Sequence, residues 1–451
     1  LATFKGGVHP YEGKELSENK PVQVLMPKGD LVFPMSQGIG APANPLVKKG
    51  DRVLAGQIIG EAGGFISANV ICSVSGTVKA VEPRRVASGG MVNSVVVEND
   101  GQYEAVEGMG ADRDPATLSK QEIRDIVKAA GIVGMGGAGF PTNVKLSPKN
   151  EDAIEYILIN GAECEPYLTS DYRCMMEDPE KIIGGLKVVL QLFDKAKGVI
   201  GIENNKPEAI KKLKELVKDE PRIEVCELLT KYPQGGERSL IYAVTGRSVN
   251  SSMLPADAGC IVDNIGTVIA IYDAVCKTTP LIERVFTVTG DAIADPRNFR
   301  IKIGTNTQEL IEAAGGFKSE PEKVISGGPM MGFAMFDLDV PVIKTNGSVL
   351  CMTKDQVAAS VETPCIRCGK CVSACPSHIV PVMMMKAALK GDCDTFEKLN
   401  GMECMECGSC TFVCPAKRPL TQAFKEMRKT VAANRRKKAR MCGARKQPAA
   451  S

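Results

Sequence analysis

The first hundred residues alternate between apolar and polar positions in short runs. Strand-like segments rich in Val and Ile, such as residues 22–25, 52–54 and 77–81, are separated by Gly and Pro. Period-two alternation broken by turn residues is typical of short strands in an all-β unit. We therefore predict a compact N-terminal β module, a barrel or sandwich, over residues 1–110.

From Ser119 the apolar positions recur at helical spacing instead. Ser119-Lys-Gln-Glu122 has the sequence of a capping box, and apolar residues from Ile123 to Ala130 share one helix face behind it. Strand-like and helix-like segments then alternate, at residues 157–159, 180–193, 199–202, 207–218 and 223–225, before two helix-like segments at residues 237–244 and 266–275. This order predicts βαβ units, and therefore a Rossmann-like, mostly parallel α/β domain over residues 111–280.

After Thr279 the strand pattern returns around one short helix. Residues 285–290 and 299–304 are strand-like, residues 308–314 are helix-like, and a further strand is predicted near residue 323. This pattern predicts a small β-grasp domain over residues 281–350.

The last hundred residues divide into a cysteine-rich segment and a basic end. The cysteine-rich segment predicts a helical ferredoxin-like domain over residues 351–425. Residues 435–440 are mostly Arg and Lys. A basic stretch with few apolar residues indicates a mobile tail, which we place at residues 426–451. The whole chain is thus predicted to be a multi-domain α/β protein.

Composition narrows the chemistry. The 451-residue chain is 44% hydrophobic and 24% charged, and its net charge of +3 does not indicate a nucleic-acid partner. We expect no signal peptide and no transmembrane helix, because the longest uncharged stretches are short and broken by Gly or Pro. The 17 cysteines of so long a chain are expected to be reduced, cytosolic and partly bound to metal. Only His9 and His378 are present, which argues against imidazole catalysis, so a cofactor must supply the chemistry.

The strongest motif is a repeated cysteine pattern. Cys365-x2-Cys368-x2-Cys371-x3-Cys375-Pro recurs as Cys404-x2-Cys407-x2-Cys410-x3-Cys414-Pro. This is the spacing of bacterial two-cluster ferredoxins, in which the fourth cysteine of each run binds the other cluster. Two zinc sites are the alternative, but zinc sites favour pairs of Cys-x2-Cys over triplets with a remote fourth cysteine.

The repeat predicts two [4Fe–4S] clusters with crossed ligand sets. Cluster 1 is predicted to be bound by Cys365, Cys368, Cys371 and Cys414. Cluster 2 is predicted to be bound by Cys375, Cys404, Cys407 and Cys410. Crossed ligation would hold the two clusters close enough for electron transfer between them. Gly369 and Gly408 would let backbone amides approach the sulfides and tune the potentials.

A glycine-rich loop before Lys145 is the second chemical motif. Residues 134–139, Gly-Met-Gly-Gly-Ala-Gly, match G-x-G-x-x-G, although a helix rather than a strand precedes them. Such a loop lets backbone amides approach a phosphate, and Lys145 adds positive charge. The pattern alone predicts either a phosphate-bearing cofactor or a tight turn.

Several segments resemble known families. Residues 134–145 closely resemble the FMN loop of the NADH-binding flavoprotein subunit of respiratory complex I, and residues 160–166 resemble its flavin and nicotinamide segment. Residues 232–238 and 262–267 resemble its third and fourth motifs. Residues 45–60 resemble a biotinyl or lipoyl hammerhead, but no lysine follows in the position of a swinging arm. The motif order of nearly the whole chain resembles the C subunit of the Rnf ferredoxin:NAD oxidoreductase complexes.

The resemblance implies a non-covalent FMN, with NAD(H) as substrate. The FMN phosphate and ribityl chain would be held by Gly134, Gly136, Gly137 and Lys145. The isoalloxazine ring would lie along Asn160 and Glu163, and the phosphate side would be closed by Asp263 and Asn264. The residues that would face NAD(H) are Phe140, Glu165, Tyr232 and Glu237. Among these, Glu165 is the catalytic candidate.

By the same resemblance, the chain would exchange hydride between NAD(H) and FMN and pass single electrons through its two clusters. The membrane complex would couple ferredoxin:NAD+ oxidoreduction to Na+ or H+ translocation. The implied partners are the other Rnf membrane subunits and, indirectly, ferredoxin, and the chain would lie peripherally on the cytoplasmic face of the bacterial cell membrane. The β-grasp domain would be an interface for partner subunits or purely structural.

Two other functions stay open from the sequence. A soluble cobalamin reductase would use the same flavin and cluster core. A non-catalytic electron relay would have lost its nucleotide site, an interpretation motivated by departures from the complex I pattern at Ala162 and Gly236.

Overall fold

The computed structural model describes residues 1–444, with side chains up to residue 438. The N-terminal segment contacts other domains. Ala2 and Val8 form bridges to Leu228 and Tyr232, and strand β1 (Gln23–Leu25) pairs in parallel with residues 299–301. The first strand of the N-terminal β module begins at Leu31, within the predicted range of residues 1–110.

The module itself consists of two small antiparallel sheets. Its strands are β2 (Leu31–Pro34), β3 (Asn44–Pro45), β4 (Arg52–Val53), β5 (Ile58–Glu61), β6 (Val70–Ile71), β7 (Gly76–Arg85) and β8 (Met91–Asn99). They pair in the orders β2-β8-β7-β4 and β3-β5-β6. Alternate side chains such as Leu31, Phe33 and Val97 are fully buried in the module's core, as the predicted alternation requires.

A four-stranded parallel sheet flanked by helices forms the α/β domain, as predicted. Its strands are β9 (Tyr156–Gly161), β10 (Lys197–Glu203), β11 (Ile223–Leu228) and β12 (Cys260–Asn264). Its helices are α1 (Lys120–Ala129), α2 (Thr142–Lys145), α3 (Ser170–Glu177), α4 (Pro179–Leu190), α5 (Pro207–Leu216), α6 (Glu237–Thr245) and α7 (Ile265–Cys276). Helix α1 begins at the predicted capping box, in which Ser119 and Glu122 bond to each other's backbone N–H.

The strand order of this sheet reverses at β9. The sheet has the order β11-β10-β9-β12, so the chain runs outward from β9 to β11 and then returns to place β12 on the other side of β9. The loops that leave the carboxyl ends of β9 and β12 therefore diverge. In open parallel sheets, ligands bind in the crevice that forms at such a point.

The predicted β-grasp domain is a mixed sheet beside one helix. Its elements are β13 (Glu283–Thr289), β14 (Arg297–Lys302), α8 (Thr307–Ala313), β15 (Lys323–Ser326), β16 (Phe333–Met335) and β17 (Ser348–Met352). The order is β1-β14-β13-β17-β15-β16, with β13 and β17 parallel at the centre. Phe286, Phe299 and Leu310 are fully buried where the sheet meets α8.

The cysteine-rich domain is helical. Its helices are α9 (Lys370–Ser373), α10 (Pro381–Leu389), α11 (Cys393–Lys398), α12 (Ser409–Phe412) and α13 (Leu420–Ala444). The predicted tail from residue 426 is instead part of α13 as far as Ala444, because Phe424, Met427 and Val431 bury one helix face in the domain core. The rest of the predicted tail, residues 445–451, lies outside the described residues. None of the described helices is long and apolar enough to cross a membrane.

One buried lysine ties three domains together. Lys344 is 2% exposed, and its side-chain nitrogen donates to the carbonyls of Asn69 in the β module and Gly131 in the α/β domain. Its backbone N–H donates to Gln37 Oε1 at 3.1 Å. Burial lowers the pKa of Lys344 to about 7. A neutral amine still has two N–H groups, one for each carbonyl.

We expect Lys344→Met to lower the free energy of unfolding, because two buried carbonyls lose their donor at a cost of about 1–3 kcal/mol each. The loss should depend on pH. The unfolded lysine holds its proton up to a pKa of about 10.4, whereas the folded lysine releases it near pH 7. The folded state is therefore favoured increasingly as pH rises from 7 to 10, and the stability gap between wild type and variant should widen by about 2 kcal/mol between pH 7 and 9.

Chemical denaturation at the two pH values measures this gap. Lys354→Met removes an exposed lysine close to the same domain and should leave stability nearly unchanged at both pH values. A difference in unfolding free energy between wild type and Lys344→Met that stays constant or narrows as pH rises would contradict the lowered pKa of Lys344.

Candidate functional site

The glycine-rich loop closes on itself beside α7. The Gly134 N–H donates to the Phe140 carbonyl at 2.9 Å, and the Met135 N–H donates to Thr267 Oγ1 at 3.0 Å. These bonds fix the loop against the first turn of α7. The Ala138 carbonyl accepts the Ile39 N–H at 2.8 Å. Residues 136–138 are exposed, and their amides donate to no acceptor in the part of the chain that the structure describes. Three backbone donors are therefore free to bind an anion next to a helix N-terminus.

Close contacts explain why positions 136 and 139 of this loop are glycine. A Cβ at Gly136 would lie 3.0 Å from the Asn264 side chain, and one at Gly139, whose φ is +71°, would lie 2.6 Å from the Thr345 side chain. At Gly137 a Cβ would have no atom within 4 Å. The backbone at Gly137 thus faces open space, where a phosphate could approach it closely.

Lys145 and Asp263 form a charged pair at the crevice. The Lys145 ammonium donates to Asp263 Oδ1 at 3.0 Å and to the Val262 carbonyl at 2.7 Å. Asp263 is 1% exposed, and its Oδ2 has no hydrogen-bond partner among the described residues. A buried carboxylate oxygen without a donor is costly, so this atom fits a hydroxyl donor from a bound molecule. Glu237 lies nearby; desolvation raises its pKa, and the Lys145 charge opposes the rise.

A chain of hydrogen bonds links the ends of β9 and β12. Asn264 caps α7 by accepting the Gly266 N–H at 2.9 Å, and its Nδ2 donates to Asp171 at 2.7 Å. Glu163 accepts the backbone N–H groups of Asp171 and Tyr172 at 2.7 and 3.1 Å, so its carboxylate caps α3. Burial and the adjacent Glu163 charge raise the pKa of Asp171. Asp171 is a crevice residue that no motif in the sequence marks.

Two buried lysines hold the loop that follows β9. The Lys14 ammonium donates to three backbone carbonyls at 2.9, 3.1 and 2.7 Å, those of Glu163, Glu165 and Leu168. Lys206 donates to the Ala162 carbonyl at 2.7 Å. No motif in the sequence marks either lysine, because both reach this loop from segments that lie far away in the chain.

Of the residues predicted to face NAD(H), Glu165 and Tyr232 lie on the side of the cysteine domain. Glu165 is half-buried and accepts the N–H groups of Met330 and Met331 in the β-grasp domain at 3.2 and 2.8 Å. Burial raises the pKa of Glu165 to about 7. Tyr232 is 1% exposed, and its hydroxyl donates to the Cys407 carbonyl at 2.7 Å. The side chain of Tyr232 thus contacts the cluster 2 motif rather than facing NAD(H) as predicted.

Asn160 and Phe140 lie at the end of β9 and at the end of the glycine-rich loop, respectively. Asn160 Nδ2 donates to the Gly235 carbonyl at 2.8 Å, in the loop after β11. The Gly235 N–H donates to Cys164 Sγ at 3.2 Å. Phe140 is half-buried at the end of the glycine-rich loop. The structure therefore brings Gly136, Lys145, Asp263 and Asn264 together in one crevice, whereas Tyr232 reaches the cysteine domain.

The two cysteine runs repeat the same backbone geometry. Arg367 and Glu406 both have a φ of 57°, and each donates its N–H at 3.4 Å to the Sγ of the cysteine two residues earlier. Gly369 and Gly408 have φ of 77° and 84°. Left-handed residues at equivalent positions curl each run, and glycine adopts this conformation without steric cost.

Thiols of one cysteine run lie close to thiols of the other run. Burial raises the pKa of the Cys410 thiol, and the neighbouring thiols of Cys404, Cys407 and Cys375 raise it further. Burial also raises the pKa of Cys371, and its neighbours Cys414 and Cys368 add to the rise. The last cysteine of each run thus lies among cysteines of the other run. A [4Fe–4S] cluster needs four thiolates around one space, so the two complete ligand sets stay a prediction.

The two predicted sets of cluster ligands differ in how deeply their cysteines are buried. Cys407 and Cys410 are buried, and the cluster 2 motif packs against the α/β domain, where Arg238 pairs with Glu403 at 3.0 Å. By contrast, Cys365 and Cys368 are exposed. The cysteines predicted to bind cluster 2 are therefore more buried than Cys365 and Cys368 of the predicted cluster 1 set.

Comparison with known proteins decides the family. The matching families are the RnfC barrel sandwich hybrid domain (residues 2–102), the Nuo51 FMN-binding domain (127–273), the SLBB domain (285–334) and the 4Fe-4S dicluster domain (364–418). The C subunit of the proton-translocating ferredoxin:NAD(+) oxidoreductase complex of Clostridium ljungdahlii is 46% identical over 446 residues, 98% of this chain and 96% of that protein. This chain belongs to the RnfC family.

Other relatives agree with the assignment. The C subunit of the Na(+)-translocating ferredoxin:NAD(+) oxidoreductase complex of Acetobacterium woodii is 46% identical over 444 residues, 96% of this chain and 98% of that protein. The NAD+-reducing [NiFe]-hydrogenase in its air-oxidized state has a similar fold, with a TM-score of 0.50 and 18% identity over 68% of this chain and 63% of that chain. The predicted domain types are thus confirmed.

The predicted cofactors, FMN and two [4Fe–4S] clusters, fit the residues of this RnfC chain. Free amides at residues 136–138 and the Lys145 ammonium suit a phosphate, and the unpartnered Asp263 Oδ2 suits a ribityl hydroxyl. The crossed thiol groups suit two cubane clusters. The side-chain roles carried over for Asn160, Glu163 and Glu237 stay predictions.

We expect Cys375→Ser to remove the same cluster as Cys404→Ser, because both thiols lie in the cluster 2 group. Iron content should fall from about eight to about four per chain, since one cubane of four irons is lost. Electron paramagnetic resonance of the reduced protein should then show one remaining signal, identical in the two variants.

Cys393→Ser is the matched control, since Cys393 belongs to the same domain but lies outside both motifs. It should keep all the iron. Loss of the same signal in Cys375→Ser and Cys371→Ser would disprove crossed ligation.

Proposed function

We propose that this chain is the member of a ferredoxin:NAD+ oxidoreductase complex that exchanges hydride between NAD(H) and FMN and passes single electrons through two [4Fe–4S] clusters. The observation that carries this proposal is the continuity of the site. One crevice at the carboxyl ends of β9 and β12 suits FMN, and its ring side adjoins the cluster 2 motif through Tyr232 and Cys407.

The crevice residues supply binding and orientation. Lys145 offsets phosphate charge, and Asn264 and Asp171 connect the two strand ends so that the crevice keeps its width. The Lys14 ammonium holds three carbonyls of the loop after β9, which orients Glu165 at the nucleotide side. When bound, FMN supplies the conversion between the two electrons of a nicotinamide hydride and the single electrons of the clusters.

The burial of the cysteines supports an electron route. Cluster 2 lies against the α/β domain, so it would exchange electrons with FMN directly. The exposure of Cys365 and Cys368 supports a position of cluster 1 at the protein surface, where a partner could approach. Electrons would therefore pass between the partner, cluster 1, cluster 2 and FMN in that order.

The membrane setting follows from the relatives, whose names describe ion-translocating complexes. We propose that this protein lies at the cytoplasmic face, where NAD(H) is available, and that partner subunits translocate the ion. Other Rnf subunits and, through them, ferredoxin would be its electron partners. The near-complete coverage at 46% identity favours this role over the soluble cobalamin reductase.

An anaerobic optical titration with NADH tests the proposal. We expect the reconstituted wild type to lose flavin and iron–sulfur absorbance together. Lys145→Met removes the charge at the phosphate end, so FMN should bind at least about tenfold more weakly, the scale of a lost charge-assisted hydrogen bond. NADH should then reduce the clusters only after excess FMN is added.

Lys149→Met, which changes an exposed lysine four residues later, should behave as wild type. Both variants should keep about eight irons per chain, because the cluster domain is untouched. If wild type binds FMN and NADH bleaches neither chromophore, the chain is an electron relay and the proposed function is wrong.

A further inference from the structure

A loop of the β-grasp domain reaches both the α/β domain and the cluster 2 motif. This β-grasp loop, residues 327–332 between β15 and β16, has the sequence Gly-Gly-Pro-Met-Met-Gly. The N–H groups of Met330 and Met331 donate to the two oxygens of Glu165 at 3.2 and 2.8 Å. On its other side, a Cβ at Gly408 would lie 2.9 Å from the Met330 carbonyl oxygen. One loop thus contacts both Glu165 and the turn of the second cysteine run.

The loop fits around Glu165 so closely that it needs glycine. A Cβ at Gly328 would lie 2.2 Å from Glu165 Oε2, 2.7 Å from its Cδ and 3.0 Å from its Cβ. These are the three nearest atoms, and all belong to Glu165. Gly328 does not have a positive φ, unlike Gly327 at +93°. The approach of the carboxylate, and not the backbone conformation, therefore requires glycine at position 328.

Two amides give the Glu165 carboxylate a single orientation. A glutamate on a loop would otherwise sample several rotamers, which costs free energy when a ligand selects one. Lys14 fixes the backbone of Glu165 through its carbonyl at 3.1 Å, and the β-grasp loop fixes the side chain. Each carboxylate oxygen still has a lone pair for a hydroxyl or amide donor of a nucleotide.

We propose that the β-grasp loop is a wall of the nucleotide site and that its Met330 and Met331 amides position Glu165 to accept hydrogen bonds from NAD(H). This inference rests on the proposed function and extends it to a third domain. Gly328 and the two amides act through Glu165, so they are positioning groups. Because the same loop contacts Gly408, the nucleotide side and cluster 2 share one support.

Gly328→Ala tests the loop with a single methyl group. The added Cβ must displace the Glu165 carboxylate, so the KM for NADH should rise about tenfold, the effect of losing one charge-assisted hydrogen bond. Turnover with saturating NADH and ferricyanide should change less than about twofold, since flavin and clusters stay in place. FMN and iron content should match wild type. An unchanged or lower KM would overturn the proposal.

Gly90→Ala is the matched control. Gly90 lies in the turn before β8 without a positive φ, and its Cβ would meet only Ser88 Oγ, at 3.8 Å. Its KM should equal that of wild type. Glu165→Asp provides a second measurement that leaves the loop intact: the shorter side chain keeps its charge but cannot reach both amides, so KM should also rise.

A double-mutant comparison separates action through Glu165 from a general disturbance. In the Glu165→Ala background the methyl group of Gly328→Ala meets no carboxylate, so it should change KM less than about twofold. A full tenfold increase in the KM for NADH in that background would show that the loop acts through residues other than Glu165. If NADH fails to bleach wild-type flavin, the proposed function fails; if wild type is bleached and Gly328→Ala matches it in KM, only the loop proposal fails.

Discussion

The surface between the α/β domain and the cluster 2 motif is the contact on which the rest of the structure depends. Electrons pass efficiently only between centres that are held close together, so the crevice and cluster 2 need a rigid, dry boundary. The Tyr232 hydroxyl crosses this boundary to the Cys407 carbonyl at 2.7 Å, within an apolar cluster that includes Val8 and Ala374. A buried hydrogen bond of this kind fixes orientation, because breaking it would leave two polar groups unpaired.

The N-terminal segment serves this same boundary. The Gly7 N–H donates to the Ala374 carbonyl at 2.8 Å, and the Val8 N–H donates to the Tyr232 carbonyl at 2.8 Å. A Cβ at Gly6 would lie 2.8 Å from the Cys375 carbonyl oxygen, so the chain can pass here only as glycine. The N-terminal segment thus packs between the α/β domain and the cysteine-rich domain, while Lys14 and Lys344 connect distant segments at other interfaces.

Features that depend on neighbours in sequence could be predicted. The cysteine runs, the glycine-rich loop and the capping box at Ser119 each act within a few residues, so their spacing reveals them. Contacts between distant segments could not be predicted, as Tyr232 and Lys14 illustrate: what each side chain touches is set by how domains pack. The tail was mispredicted as far as Ala444 because its Lys and Arg residues suit a solvated tail and a helix equally, and the burial of Met427 and Val431 distinguishes the two.

Rapid anaerobic mixing with NADH of variants that lack one cluster tests most directly whether cluster 2 is next to the flavin. In Cys365→Ser/Cys368→Ser, which removes cluster 1, NADH should reduce the remaining cluster at about the wild-type rate. In Cys404→Ser/Cys410→Ser, which removes cluster 2, the flavin should bleach while cluster 1 stays oxidised on the same timescale. Rapid reduction of cluster 1 without cluster 2 would contradict the account.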